Sequence, residues 1–173
     1  MPRKHTLRER IEQRIARKKG DDVFLTREFK TLGGEDQVVR ALRELVDNGR
    51  LVKIGYGVYG RAIVSRLNGK PMLYSRDGFA GAARQALDKL GVKWEPTEAE
   101  RAYNEGRSTQ VPVNPVVRVK GRFSRHLRYR NAELVLERYA NFQRDMVYGD
   151  KPDFGTAMGT LNTLTDHLKK VPA

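Results

Sequence analysis

Residues 35–64, EDQVVRALRELVDNGRLVKIGYGVYGRAIV, combine a helical repeat with a hairpin pattern. The helical repeat predicts a helix over residues 35–48, ended by Gly49. One side of this helix is apolar, as a core-facing stripe should be, and consists of Val38, Val39, Leu42, Leu45 and Val46. Two strand-like segments follow at residues 51–54 and 58–64. Gly55-Tyr56-Gly57 joins them and predicts a tight hairpin turn, because glycine readily adopts positive φ values.

The residues before this stretch predict two further helices. Thr6 and Glu9 have the spacing of a capping box, and the helix they open would bury Leu7, Ile11 and Ile15 before ending at Gly20. After an apolar segment at 23–25, Thr26 is expected to cap a short second helix that buries Phe29 and Leu32. Gly33-Gly34 forms the turn before the third helix. Three helices and a hairpin predict a winged helix-turn-helix over residues 1–66.

Residues 67–173 predict a small α+β domain, so the whole chain is expected to be α+β with two parts. Helices are expected near 79–90 and, after a second capping box at Thr97 and Glu100, near 97–104. Extended chain is expected at 110–119 and 125–130, with a helix near 132–142. A C-terminal amphipathic helix is expected over 153–170, with Met158, Leu161, Leu164 and Leu168 inward. This part would support the first, contact a partner or mediate self-association.

Composition narrows the class of protein. The 173 residues carry a net charge of +13, of which +7 falls in residues 1–66 and +6 in residues 67–173. Such a charge favours polyanionic partners, because cationic side chains that neutralise phosphates release condensed counterions. The absence of cysteine excludes disulfides, Cys-ligated zinc and iron–sulfur clusters. No apolar run could span a bilayer and no signal-peptide pattern opens the chain, so an intracellular protein without a membrane partner is expected.

The outward face of the third predicted helix is the first candidate contact surface. It carries Asp36, Gln37, Arg40, Glu44 and Asp47, with Arg43 at its margin. In a helix-turn-helix the N-terminal part of the second helix of the motif enters the major groove. Gln37 could then pair with adenine and Arg40 with guanine, beside Asp36, while Arg43 is better placed for phosphate. The alternative is an ordinary solvated polar face.

Three further groups of residues are candidates for phosphate contacts. The first helix would present Arg10, Arg14 and Arg17, and the hairpin would present Lys53, Tyr56 and Arg61. Tyr59 is expected to pack the hairpin onto the third helix. A second basic patch, without an acid in its run, consists of Arg118, Lys120, Arg122, Arg125, Arg128 and Arg130. If its two stretches are strands, several of these share one face. An acidic protein partner or a solvated surface would also explain the run.

The sequence contains no P-loop, no GxGxxG and no HExxH pattern, and neither a catalytic residue nor a metal or cofactor is expected. Two alternatives to DNA binding stay open. One is a protein–protein module that neutralises an acidic partner through its basic face and binds nucleic acid only non-specifically. The other is a nucleic-acid-modifying enzyme that uses Glu133, Glu137 or His126, where the two glutamates would share a face of the predicted 132–142 helix.

Two segments resemble the AbiEi-type antitoxins of bacterial type IV toxin–antitoxin and abortive-infection systems. They are QVVRALRELVDNGRLVKIGYGVYGRA at 37–62 and AYNEGRSTQVPVNPVVRVKGRFSRHLRYRNAELVLER at 102–138. The resemblance implies a short relative that represses its own promoter through a winged helix and counters a nucleotidyltransferase-like toxin. Its DNA contacts would be Gln37, Arg40, Arg43 and the hairpin around Tyr56. The expected partners are double-stranded operator DNA, a cognate toxin and a second copy of the chain, in the cytoplasm at the bacterial nucleoid.

Overall fold

The computed structural model of the chain describes residues 5–110 and 114–138. The chain divides into two compact units, Met1–Tyr139 and Ala140–Ala173. The second unit, with the amphipathic helix predicted at 153–170, lies outside the described residues. The described residues are α+β, as predicted, with four α-helices and nine short strands. The domain boundary placed after residue 66 stays a prediction.

Seven elements make up the first part of the described chain. In order they are helix α1 (Leu7–Arg17), strand β1 (Val23–Leu25), a 3₁₀ helix (Thr26–Phe29), helix α2 (Glu35–Asp47) and strands β2 (Leu51–Gly55), β3 (Val58–Val64) and β4 (Pro71–Leu73). Strand β3 is central in an antiparallel sheet of order β1-β3-β2, and β4 pairs with its far end.

Helix α1 begins as predicted but ends early. The capping box is present, because the Glu9 amide donates to Thr6 Oγ1 at 3.2 Å and the Thr6 amide donates to Glu9 Oε2 at 2.9 Å. The helix ends at Arg17 with Lys18 as its C-cap, so the prediction of Gly20 as the cap was wrong. The guanidinium of Arg61, from β3, binds the last carbonyls of the helix instead.

The second predicted helix is a single 3₁₀ turn. Its entry is capped by Glu28 and not by Thr26, because the Leu25 amide donates to Glu28 Oε1 at 3.0 Å. Phe29 is fully buried, as predicted, and Leu32 is half-buried. The short turn therefore serves to bury one phenylalanine and leads through the glycine pair into α2.

Helix α2 and the β2–β3 hairpin agree with the sequence prediction. Val38, Leu42 and Leu45 are buried, together with Ala41, which is not part of the apolar stripe predicted from the sequence. Gly57 has a φ of 66° at the hairpin turn, where a side chain would be strained. Lys53 pairs with Tyr59 and Gly55 with Val58, so the register shifts by a bulge between Lys53 and Gly55 just before the turn.

The second part of the described chain contains two more helices and five strands. These are α3 (Gly78–Leu90), β5 (Trp94–Pro96), α4 (Glu98–Asn104), β6 (Val116–Val119), β7 (Arg128–Tyr129), β8 (Ala132–Glu133) and β9 (Val135–Arg138). Helices α3 and α4 and the extended stretch before residue 119 were predicted. The helix predicted near 132–142 was wrong where the chain is described. Residues 132–138 form β8, which pairs with β7, and β9, which runs parallel to β6.

The first sheet has a hydrophobic cluster on each face. Successive residues of a strand point to opposite faces, so Phe24 joins one cluster while Val23 and Leu25 join the other. The Phe24 cluster packs α1 and α2 against the sheet. The other cluster contains three alanines of α3 and apolar residues of β6 and the 127–134 segment. The sheet therefore holds α2 and the second part of the described chain in a fixed relation. No helix among the described residues is long and apolar enough to cross a membrane.

Candidate nucleic-acid interface

The exposed face of α2 contains the residues that the sequence placed there. Asp36, Gln37, Arg40 and Arg43 are exposed, as are Glu44 and Asp47 toward the helix C-terminus. The opposite face is locked into the core by Val38, Leu42 and Leu45. The first nine residues of the helix therefore present one amide and two guanidinium groups together with the carboxylates of Glu35 and Asp36, and Glu44 and Asp47 add two more carboxylates further along.

A groove lies between α2, the 3₁₀ turn and the tip of the β2–β3 hairpin, and we call it the hairpin groove. Its volume is about 340 Å³. Its walls include one carboxylate, Glu35, and five basic residues, namely Arg27, Lys30, Arg43, Lys53 and Arg125. All five basic residues are exposed. The groove is therefore a strongly cationic concave surface.

Two tyrosines of the hairpin lie in different environments, and the burial of Tyr59 was predicted. Tyr56, at the tip, is 81% exposed. Tyr59 is 4% exposed and packs in the cluster of α1 and α2. Burial raises the pKa of the Tyr59 hydroxyl, and a hydrogen bond with Thr26 and the nearby charge of Arg43 offset part of this rise. Tyr59 thus remains a neutral wall of the hairpin groove, while the Tyr56 hydroxyl is available to a ligand.

Arg61 has a structural role, which corrects its prediction as a ligand contact. Its Nη2 donates to the carbonyls of Ile15, Lys18 and Asp21 at 3.1, 2.8 and 3.0 Å. The guanidinium also lies 5.3 Å from the centre of the Phe24 ring. The half-buried side chain is directed into the end of α1, where it is a second donor to the Ile15 and Lys18 carbonyls, which also accept from the Lys18 and Asp21 amides.

The three arginines predicted to contact phosphate from α1 differ in exposure. Arg10 and Arg17 are exposed, as a phosphate contact requires. Arg14 is half-buried, and its Nη1 donates to the Glu28 carbonyl and to Thr31 Oγ1, both at 3.0 Å. The role predicted for Arg14 is corrected accordingly, since it ties α1 to the chain around the 3₁₀ turn. Neither Arg10 nor Arg17 lines the hairpin groove, and their contact with DNA stays a prediction.

The basic run at 118–130 does not form one face, which corrects the two-strand prediction. Arg118, on β6, is half-buried and pairs with Glu95 at 3.7 Å and with Glu137 at 3.6 Å. Arg128 and Arg130 are exposed on the β7–β8 hairpin. Lys120, Arg122 and Arg125 belong to the loop between β6 and β7. This loop reaches the first sheet, because Arg125 Nη1 donates to the Tyr56 carbonyl at 3.3 Å.

Sequence reasoning missed Arg27 and Lys30 of the hairpin groove. They lie three residues apart around the 3₁₀ turn, whose last residue, Phe29, is buried. Side chains three residues apart in a 3₁₀ turn lie on the same side of it, so this spacing was the available signal. Lys18 and Lys89, by contrast, are held by Glu28 at 2.5 and 3.0 Å and are part of the internal structure.

The two glutamates of the enzyme alternative lie on different strands, Glu133 on β8 and Glu137 on β9. His126 Nδ1 lies 3.0 Å from Glu133 Oε1, and Glu137, on β9, pairs with Arg118. Among residues 5–110 and 114–138, no three metal-ligating side chains come together. Glu133 and Glu137 therefore do not share the helix face on which their pairing was predicted.

Comparison with known proteins gives one match. A family model described as "Family of unknown function (DUF6088)" matches residues 10–136. This range includes α2, the hairpin groove and the loop that carries Arg125. No curated protein and no solved structure matches the chain.

Proposed function

The chain belongs to the DUF6088 family, whose function is unknown, and we propose that its first part is a winged helix-turn-helix that binds double-stranded DNA. The order of elements supports the proposal. A helix, a strand, a short helical turn, a second α-helix and a β-hairpin follow one another, and the strand pairs beside the hairpin. The 3₁₀ turn takes the place of the middle helix, and Gly33-Gly34 provides the turn before α2.

The observation that carries the proposal is the hairpin groove. It sets Glu35, Val39 and Arg43 of α2 beside the hairpin tip, and five exposed basic residues line it against one carboxylate. Gln37 and Arg40 lie on the neighbouring side of α2, where they line a separate groove against α1. DNA needs this combination, since a groove-inserted helix reads bases while neighbouring cations hold the phosphates. An ordinary solvated helix face would not explain why exposed cations from the 3₁₀ turn, the hairpin and the β6–β7 loop line the same groove.

The residues of α2 divide into base readers and phosphate contacts. We assign Gln37 to adenine and Arg40 to guanine in the major groove, with Asp36 able to accept from cytosine N4. Arg43 and Lys53 line the hairpin groove and would neutralise phosphates, and the exposed Tyr56 hydroxyl would donate to one. Glu44 and Asp47 would repel phosphate, so the C-terminal half of α2 lies clear of the DNA backbone.

A sequence-specific DNA-binding module of this kind suits a transcriptional regulator. The resemblance to AbiEi-type antitoxins adds the proposal that it represses its own promoter and counters a toxin encoded beside it. The two segments that resemble this family, 37–62 and 102–138, support this extension. The geometry of the described residues does not bear on the toxin. Copurification with the neighbouring gene product would test it separately from DNA binding.

The test of DNA binding is a mobility-shift titration with the DNA upstream of the protein's own gene, excess non-specific competitor and several salt concentrations. Gln37→Ala combined with Arg40→Ala should lower specific affinity at least about 30-fold, because each lost base contact costs about 1–3 kcal/mol. Arg66→Ala is the control, since this exposed residue on the β3–β4 loop lines none of the grooves described and removes one positive charge.

The outcomes separate two classes of function. Binding that survives competitor and is lost in the double variant supports a base-reading winged helix. Binding that competitor removes equally from the wild type and the double variant would refute sequence-specific reading by α2. An acidic protein partner for the basic surface would then be the better account.

A further inference from the structure

A second basic groove adjoins the hairpin groove, and we call it the α3 groove. It lies at the C-terminal end of α3 and has a volume of about 460 Å³. Its ionisable lining residues are all basic, namely Arg27, Lys93, Lys120, Arg122 and Arg125. Leu90, Val92 and Phe123 contribute apolar parts of its wall. Only a polyanion or another strongly acidic surface matches this charge.

The two grooves are continuous. Arg27, Leu90 and Arg125 line both of them. The loop that carries Arg122 and Arg125 is fixed to the hairpin, because Arg125 donates to the Tyr56 carbonyl and Leu127 forms a β-bridge with Gly55. A side chain at Gly55 would collide with Leu127, since an added Cβ would lie 2.7 Å from Leu127 Cδ2. The close packing makes both grooves parts of one rigid surface.

The end of α3 would by itself disfavour an anion. The C-terminal carbonyls of a helix carry a partial negative charge. Arg27 offsets this effect, because its Nη2 donates to the Lys89 carbonyl in the last turn of α3. The Lys89 ammonium is directed elsewhere, to Asp21 at 2.8 Å and to Glu28 at 3.0 Å. The groove is therefore cationic even where the helix ends.

From this continuity we propose that a DNA backbone runs from the hairpin groove along the α3 groove. Residues outside the winged helix, on the β6–β7 loop and after α3, thus form the second half of the DNA interface. The inference rests on the proposed function and deepens it, because it assigns a longer footprint on the same duplex. Lys93 and Arg122 are the phosphate contacts, since both are exposed and no carboxylate of residues 5–110 or 114–138 pairs with either.

The experiment measures how DNA affinity depends on salt. Lys93→Ala combined with Arg122→Ala should reduce the slope of log K against log salt by about 1.8, because each phosphate contact contributes about 0.9. Arg27, Lys120 and Arg125 are left unchanged, since each makes contacts within the fold. Lys93→Gln with Arg122→Gln repeats the test if thermal melting shows that the alanine variant is destabilised.

The matched control removes the same charge elsewhere. Arg66→Ala with Lys70→Ala changes two exposed residues on the β3–β4 turn. The turn lies at the other end of β3 from the hairpin tip, about 20 Å away at about 3.3 Å per strand residue. This control should change the slope by less than about 0.5, because long-range effects of exposed charges are screened.

Duplex length provides a second readout. The effect of Lys93→Ala with Arg122→Ala should be seen on a duplex of about 30 base pairs and should vanish when the duplex is trimmed to about one helical turn around the specific site. Equal slopes for this variant and the control on the long duplex would overturn the inference. The specific preference for the site, measured with Gln37→Ala and Arg40→Ala, decides the proposed function independently.

Discussion

Replacing Arg61 with lysine should destabilise the fold while keeping the net charge. The wild-type guanidinium is a planar donor that binds the carbonyls of Ile15, Lys18 and Asp21 at once and lies over Phe24. A lysine ammonium ends one bond closer to the backbone than Nη2 and lacks the Nε donor that also reaches the Asp21 carbonyl, so it is expected to keep at most one of the three carbonyls. The end of α1 would lose the other two contacts.

The magnitude follows from those contacts. A hydrogen bond from a charged donor contributes about 1.5–3 kcal/mol, and we take about 1 kcal/mol for each of the two lost because water reaches this half-buried site. The changed cation–π contact adds up to about 1 kcal/mol. Arg61→Lys should therefore lower the free energy of unfolding by about 2–3 kcal/mol and the Tm by roughly 4–12 °C.

The assay is urea unfolding followed by circular dichroism, with Arg66→Lys as the control in an exposed loop. A phosphate-binding role for Arg61 would leave the stability of Arg61→Lys unchanged, because lysine also binds phosphate and the fold would lose nothing. A loss of less than about 0.5 kcal/mol, equal to that of the control, would refute the structural role described for Arg61.

Two further predictions concern the core and the response to pH. An added Cβ at Gly60 would collide with Leu73 Cδ1, so Gly60→Ala should lower the free energy of unfolding in urea by about 1–3 kcal/mol. At Gly20 an added Cβ has nothing within 4 Å, so Gly20→Ala should leave the free energy of unfolding unchanged or raise it by up to about 1 kcal/mol. Equal effects of the two substitutions would contradict the close packing at Gly60. Burial alone would raise the pKa of Glu28, but hydrogen bonds from Lys18, the Leu25 amide and Lys89 outweigh it and lower the pKa below its ordinary value of 4.5. The folded state therefore holds the charged form, and its stabilising contribution is complete above pH 4.5 and is lost as pH falls below it. Between pH 6 and 3.5 the free energy of unfolding should fall less in Glu28→Gln than in the wild type. An identical fall in the two proteins would refute this role of the Glu28 carboxylate.

The elements around α2 could be predicted because their signals are local. A 3.6-residue apolar repeat defines the buried face of α2 within thirteen residues, and Gly57 permits the positive φ of the turn between β2 and β3. The same patterns separated Tyr56 from Tyr59. Most of the candidate reading face was therefore identified without any long-range contact.

The segment 132–138 shows where local signals fail. Its residues, AELVLER, favour a helix by intrinsic propensity. The structure places them in β8 and β9, and β9 pairs in parallel with β6 from Val116↔Val135 to Val119↔Arg138. A parallel partner nineteen residues away along the chain leaves no short-range pattern, and tertiary pairing overrides propensity.

The sequence alone determined that the chain is α+β, that its charge favours a polyanion, and which side of α2 faces outward. Only the tertiary structure decided the role of each cation. Arg14 and Arg61 turn inward because backbone carbonyls around the 3₁₀ turn and at the end of α1 lie within their reach, and Arg27 and Arg125 join two grooves because distant segments meet at the hairpin tip. All four side chains contribute equally to the net charge of the sequence. Whether each charge is neutralised or exposed depends on contacts between residues far apart in the chain.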